Sequence, residues 1–261
     1  MQLSILILAI DEAQHLGACI ASAAGLIAPP AGELVIVLDA RATPDVEAVA
    51  RHHTAHVHRV PFVNFSTQRN QAIAGATGEW VLFLDPDERV TPALEREIRA
   101  TLAAPRAAGY WVPRRTFMFG REVRHAGWWP DYQMRLLLRR RAHYDAQRAV
   151  HEVPLIPVEQ QAYLQAPLIH YNYATWRQFT AKQRSYAAYE ARAQRARGRR
   201  ARPRNFVLQP LREFWRRYIT LAGWKDGPLG LLLALAMGYY TFQMYRILAR
   251  RPRLPDRETS L

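Results

Sequence analysis

Three continuous apolar runs of strand length, at residues 3–9, 34–38 and 80–84, each lead into acidic side chains: Asp11 and Glu12, then Asp39, then Asp85 and Asp87. None of the runs alternates polar with apolar residues. Strands that are apolar on both faces belong inside a layered structure, in a parallel sheet with helices covering each side. Parallel neighbours need a crossover, and residues 13–24 supply about a helix's worth of chain between the first two runs. Residues 56–60 read as a short strand, and 68–76 as a helix stopped by Gly78. Thr91-Pro92 opens another helix to about Ala103, with Thr91 as N-cap and Pro92 at the first helical position. Residues 109–115 and 133–139 read as further strands, and 176–197 as a polar helix. The expected class is α/β with a mostly parallel sheet.

In open sheets of this kind, ligands bind outside the carboxyl ends of the strands. An aspartate after one strand is as readily a turn residue or a helix cap. Three acidic ends meeting on one sheet edge point to a ligand. The third is the most specific: Asp85-Pro86-Asp87 sets two carboxylates one residue apart just past a buried strand. Such a pair can share a hard divalent ion, Mg²⁺ or Mn²⁺, and join it to substrate phosphates. The competing reading is a proline turn capping the next helix, with Glu88 as a first-turn carboxylate.

Charge divides the chain. Residues 1–104 carry a net −5 and residues 105–261 a net +19. A uniform nucleic-acid binder would not carry an acidic half, so no nucleic-acid partner is expected. The pattern fits an N-terminal unit with its own carboxylate chemistry and a C-terminal unit facing an anionic surface. Cys19 is the single cysteine, which excludes a disulfide scaffold and a cysteine-rich zinc module. The start lacks a basic segment before its apolar run and reads as a strand rather than a signal peptide, making a cytoplasmic setting the default.

The ordered set of motifs resembles family 2 glycosyltransferases, inverting enzymes with a GT-A (Rossmann-like) fold and a nucleotide-sugar donor. It comprises Ile5-Leu6-Ile7-Leu8-Ala9-Ile10-Asp11-Glu12, Val35-Ile36-Val37-Leu38-Asp39, Gln68-Arg69-Asn70-Gln71-Ala72 and Gly78-Glu79-Trp80-Val81-Leu82-Phe83-Leu84-Asp85-Pro86-Asp87-Glu88. Gly127-Trp128-Trp129-Pro130-Asp131-Tyr132-Gln133-Met134-Arg135-Leu136 and Val150-His151-Glu152 resemble a branch that adds β-linked sugars to the lipopolysaccharide inner core. Three departures stand out: Asp11 where the family usually has Asn, Ala40 and Ala42 where it has small hydroxyl residues, and Pro86 where Ala is common.

The resemblance implies roles. Asp87 and Asp85 hold the metal on the donor diphosphate. Asp39 and Glu12, with Asp11 beside it, face the base and ribose of a UDP-sugar. Arg69 reaches the base or diphosphate, or else is a solvated helix arginine. Inverting transfer needs one base to deprotonate the acceptor hydroxyl. Glu152 is the first candidate and Asp131 the second, with His151 steadying the diphosphate or orienting Glu152. Trp128 and Trp129 read either as a wall for a sugar ring or as core residues.

The catalytic domain is expected over residues 1–172 and a basic helical extension over 173–261. Arg192, Arg195, Arg197, Arg199, Arg200, Arg202 and Arg204 form a run ahead of an uncharged stretch at 229–245. Such a run is drawn to anionic lipid head groups. The stretch reads first as a helix lying in the membrane interface, second as a dimerisation helix giving a homo-oligomer, and third as a span. The expected enzyme is peripheral on the inner face of the cytoplasmic membrane and uses a lipid-linked or lipopolysaccharide acceptor. The alternatives are a polyprenyl-phosphate sugar synthase and a non-enzymatic arginine-rich binder.

Overall fold

The computed structural model describes residues 2–28, 32–146 and 153–250. The chain divides into two compact units. One comprises Met1–Thr116 with Pro130–Asn172, the other Phe117–Trp129 with Tyr173–Leu261.

The first unit begins as expected. Strand β1 (Leu3–Ala9) is followed by helices α1 (Ala13–Ser22) and α2 (Ala24–Ile27), then β2 (Gly32–Asp39), α3 (Pro44–His53) and β3 (Val57–Val60). The single helix read over 13–24 breaks at Ala23 into two pieces. Helix α4 (Phe65–Ala74), strands β4 (Trp80–Leu84) and β5 (Glu88–Val90) and helix α5 (Pro92–Ala103) follow. The Thr91 hydroxyl caps α5 by accepting from the backbone N–H of Leu94 at 3.1 Å. Next come β6 (Gly109–Met118), β7 (Arg121–Val123), β8 (Asp131–Leu138), β9 (Gln161–Tyr163) and β10 (Leu168–Tyr173).

The sheet order is β3-β2-β1-β4-β8-β6-β10-β5, with β7 and β9 both paired to β6. The first four strands are parallel, and β8 joins β4 antiparallel. Both faces of the parallel block are covered, which is why its strands carry no polar alternation. Ile5, Ile7, Ile36, Leu82 and Leu84 pack with Leu16 and Cys19 of α1, Val46 of α3 and Leu94 and Ile98 of α5. Leu6, Val35, Val37, Val81 and Phe83 pack on the other face with Ala72 and Ile73 of α4 and with Tyr144. Fully burying each aliphatic side chain contributes about 1.5–3 kcal/mol. Gly78, just before β4, sits where a Cβ would come 2.7 Å from the backbone nitrogen of Ser4.

In the second unit, the end of β6 turns into β7 through Phe119 and Gly120, both with positive φ (54° and 75°), a turn that glycine favours. Helix α6 (Trp176–Ala196) starts at a Thr175–Gln178 capping box. Helix α7 (Asn205–Trp215) runs into a π-helical turn, Arg216–Thr220, and α8 (Gly227–Ala249) closes the unit. Phe179, Met118, Val123, Tyr173, Leu233 and Tyr240 form its core, with Trp128 packed against it. Among the described residues, no helix is long and apolar enough to cross a membrane.

Candidate active site

Register brings the acidic residues together. Ala9 pairs with Leu38 and Ile7 with Leu84, so the carboxyl ends of β1, β2 and β4 lie side by side. Asp39 is buried at the end of β2. Its carboxylate accepts from the backbone N–H of Arg41 at 2.8 Å and from the Arg41 guanidinium at 3.0 and 2.7 Å. These bonds hold its carboxyl below the usual range, the Arg41 side chain contributing most. Arg41 itself is 68% exposed, so it can leave when a ligand reaches Asp39. Glu12 turns back on its own strand end, accepting from the N–H groups of Ile10 and Asp11 at 2.8 and 3.0 Å. The adjacent Asp11 is exposed.

The Asp85-Pro86-Asp87 turn leaves β4 and enters β5. The N–H of Glu88 donates to the carbonyl of Asp85 at 2.9 Å, and the Glu88 carboxylate accepts from the N–H of Asp85 at 3.0 Å. Glu88 is therefore not a first-turn helix carboxylate. It lies in β5, fully buried, and binds Arg135 at 2.5 Å and Arg114 at 3.2 Å. Arg135, on β8, also grips both oxygens of Asp85. Burial alone would raise the Asp85 pKa, but Arg135, Arg69 and Arg114 outweigh it and hold the carboxyl well below the usual range. Burial works against the Arg135 cation too, and Asp85 and Glu88 more than offset it.

Asp87 faces a different neighbour. His170, at the centre of β10, pairs with Glu88 across the sheet, and its Nε2 lies 3.5 Å from Asp87 Oδ2. His170 is buried, and its Nδ1 has no hydrogen-bond partner among the described residues. A carboxylate and an imidazole at this spacing suit a divalent ion that also binds a diphosphate, because such ions need only one or two protein ligands. Among the described residues, no group of three His, Cys, Asp or Glu side chains could hold an ion. The Asp87–His170 pair leaves the remaining positions of such an ion to substrate phosphates and water. Asp85 differs from Asp87 in being bound by Arg135 through both oxygens.

Arg69 is half-buried. Its guanidinium lies 5.0 Å from the Phe83 ring centroid and 5.5 Å from that of Tyr144, close enough to act on Asp85. The solvated reading of Arg69 is thereby removed. Asn70 fixes the segment beneath it through paired bonds to the backbone of Tyr144, at 2.8 and 2.9 Å.

Asp131 is the first residue of β8. Its carboxylate binds the Arg114 guanidinium, with Nε at 2.9 Å, and the Gln133 amide at 2.9 Å. Arg114 also contacts Glu88, which links Asp131 to the acidic turn. The other candidate base, Glu152, lies outside the described residues, as does His151. Cys19 is buried behind the turn, its thiol donating to the Asp85 carbonyl at 3.4 Å. Burial keeps that thiol protonated, so it offers no nucleophile.

His170 and Arg114 escaped the sequence reading, and Arg135 entered it only as part of a motif. His170 stands in Leu168-Ile169-His170-Tyr171, which shows only a strand. Its partner Asp87 is distant in sequence, and only the β5–β10 pairing brings the two together.

Comparison with known proteins agrees with this architecture. Residues 4–155 match the family model "Glycosyl transferase family 2". The chain is 25% identical to the lipopolysaccharide core biosynthesis glycosyltransferase LpsC of Rhizobium meliloti, over 98% of this chain and 97% of that one. It is 33% identical to a TPR repeat-containing protein of Synechococcus elongatus over 61% of its length, but spans only 38% of that longer protein. Among solved structures, S. aureus TarS superposes with a TM-score of 0.50 at 14% identity, covering 95% of this chain and 55% of that one, a likeness of fold. The chain belongs to the glycosyltransferases of family 2, with the GT-A fold that its motifs resemble.

Proposed function

We propose that the protein transfers a sugar, with inversion, from a UDP-sugar to a hydroxyl of a lipid-linked saccharide of the lipopolysaccharide-core kind. The observation that carries this reading is the shared edge of β1, β2 and β4, where Asp39, Asp85 and Asp87 meet. The choice of acceptor is supported by the likeness to LpsC along nearly the whole of both chains.

Asp39 receives the nucleoside once Arg41 swings away. Arg69, on its aromatic platform, reaches the donor diphosphate. Asp87 and His170 hold a divalent ion, which when bound neutralises charge on the leaving diphosphate. Asp85 aligns the turn through Arg135 and does not ligate the ion. Asp131 is occupied by Arg114 and Gln133, so its oxygens are committed to positioning. That favours Glu152 as the base for the acceptor hydroxyl.

The test is nucleotide release and product formation with a panel of UDP-sugars and lipopolysaccharide-core acceptors. Glu152→Gln lowers transfer by about 10²–10⁴-fold while donor binding, read by thermal shift, is retained. Transfer that survives in Glu152→Gln but is lost in Asp131→Asn would reverse the assignment. No turnover with any sugar nucleotide would overturn the function.

A further inference from the structure

The C-terminal unit presents an apolar surface that sugar transfer does not use. Amphipathic helices in globular proteins turn their apolar stripe inward. Helix α7 does the reverse: it has no buried residue, and Val207, Leu208, Leu211 and Trp215, followed by Ile219 in the π turn, are 43–61% exposed along one stripe. Its other side, with Phe206, Pro210 and Phe214, meets α8. The Phe206 and Phe242 rings are 6.0 Å apart, and a Cβ on Gly238 would lie 3.1 Å from the Pro210 carbonyl. On α8, Leu231, Leu232, Leu235 and Tyr239 form a second exposed stripe, while Leu229, Leu233, Ala236 and Tyr240 serve the unit's core. Two exposed apolar stripes on packed helices exceed the scattered apolar residues of an ordinary surface.

Charge accompanies this face. Arg204, Arg212 and Arg216 are exposed along α7 and at its ends. A cavity of about 670 Å³ between the end of α6, the start of α7 and the end of α8 is lined by Arg199, Arg200, Arg202 and Arg204, with Gln194 and Tyr245. Trp215, Trp224 and Tyr239 are more than half exposed, as aromatic residues are where apolar and wet layers meet. A second copy of the chain would set arginines against arginines. An anionic bilayer supplies both complements, acyl chains for the stripes and phosphates for the guanidinium groups.

We propose that the C-terminal unit docks in the plane of an anionic phospholipid bilayer, with α7 as the main inserting element and the arginine-lined cavity taking head-group phosphates. The sequence placed membrane contact on the arginine run at 192–204 and on 229–245; the new element is α7 as the inserting helix. This docking does not depend on the identity of the donor or acceptor.

The test is flotation of the full-length protein with vesicles of phosphatidylcholine alone or mixed with phosphatidylglycerol. The protein floats with the anionic vesicles, stays behind with the neutral ones, and is released by salt. Leu211→Glu with Trp215→Glu lowers the bound fraction by about tenfold or more, with melting unchanged because both sites are exposed. Arg199→Glu with Arg200→Glu removes the preference for anionic lipid. Absence of flotation, or flotation indifferent to both variants, overturns the proposal. So does a wild-type dimer, seen by light scattering, that Leu211→Glu with Trp215→Glu makes monomeric while flotation is unchanged. That result would assign the face to a second copy.

Discussion

Arg135→Met tests whether the buried ion network holds the acidic turn in place. Arg135 is 3% exposed and is shared between Asp85 and Glu88, so its loss leaves two carboxylates short of a partner. Breaking one partner out of a buried pair costs about 3–5 kcal/mol. Two features pull the value toward the lower end. Glu88 keeps Arg114 at 3.2 Å, and the Asp85 side chain is 37% exposed, so water takes up part of its charge. A loss of about 3 kcal/mol lowers the melting temperature by about 6–12 °C, at about 2–4 °C per kcal/mol for a chain of this size. Scanning calorimetry reads this directly, with Arg135→Lys, which keeps the charge but loses the two-pronged contact, falling between. The gap should also depend on pH. The Asp85 carboxyl titrates lower in the folded protein than in the unfolded chain. Its stabilisation is therefore complete above the ordinary carboxylate pKa of about 3.9 and fades as pH falls below that toward the folded value. The gap between wild type and Arg135→Met should hold steady from about pH 7 to about 4 and begin to close only as pH falls further, toward the folded value. A mutant melting within about 2 °C of wild type at neutral pH, less than 1 kcal/mol, refutes the reasoning, as does a gap that does not shrink in acid.

Three further outcomes are expected. Glu33→Gln removes a buried carboxylate that accepts from Ser4, from both Thr77 donors and from the Gly78 N–H, and urea denaturation should show a loss of roughly 1–3 kcal/mol. Thr91→Ala deletes the cap of α5 and should cost about 1 kcal/mol by the same measurement. His170→Ala should weaken Mn²⁺ binding in the presence of UDP by about tenfold or more, read by calorimetric titration, and unchanged affinity would remove His170 from the ion site.

The parallel half of the sheet was legible because its signal is local. Runs such as Trp80–Leu84 are apolar on both faces, and the residues that follow them are acidic for a reason of position. Thr91-Pro92 announced the start of α5 in the same way. The antiparallel half was harder. Strands over 109–115 and 133–139 were read close to where β6 and β8 lie, but nothing in them reveals that β10 carries His170 back to the turn after β4. Glu88 was ambiguous because a carboxylate three residues before a Thr-Pro helix start also suits a solvated end. Its burial follows from two arginines on β6 and β8, a contact made through tertiary pairing. The exposed apolar stripe of α7 was hidden for a related reason. Composition marked α8 as the apolar element, whereas burial against α6 and the β7 hairpin uses half of it and leaves α7 outward.

The central claim is that the acidic edge of β1, β2 and β4 is a nucleotide-sugar site. Calorimetric titration of the full-length protein with a panel of nucleoside diphosphates and their sugars, in Mn²⁺ and again in EDTA, tests it most directly. The account predicts that UDP and a UDP-sugar bind in Mn²⁺ and weaken sharply in EDTA. It further predicts that Asp39→Ala and Asp87→Ala each lose this binding while melting close to wild type. Nucleotide binding that is unchanged in both variants, or its absence across the whole panel, would contradict it.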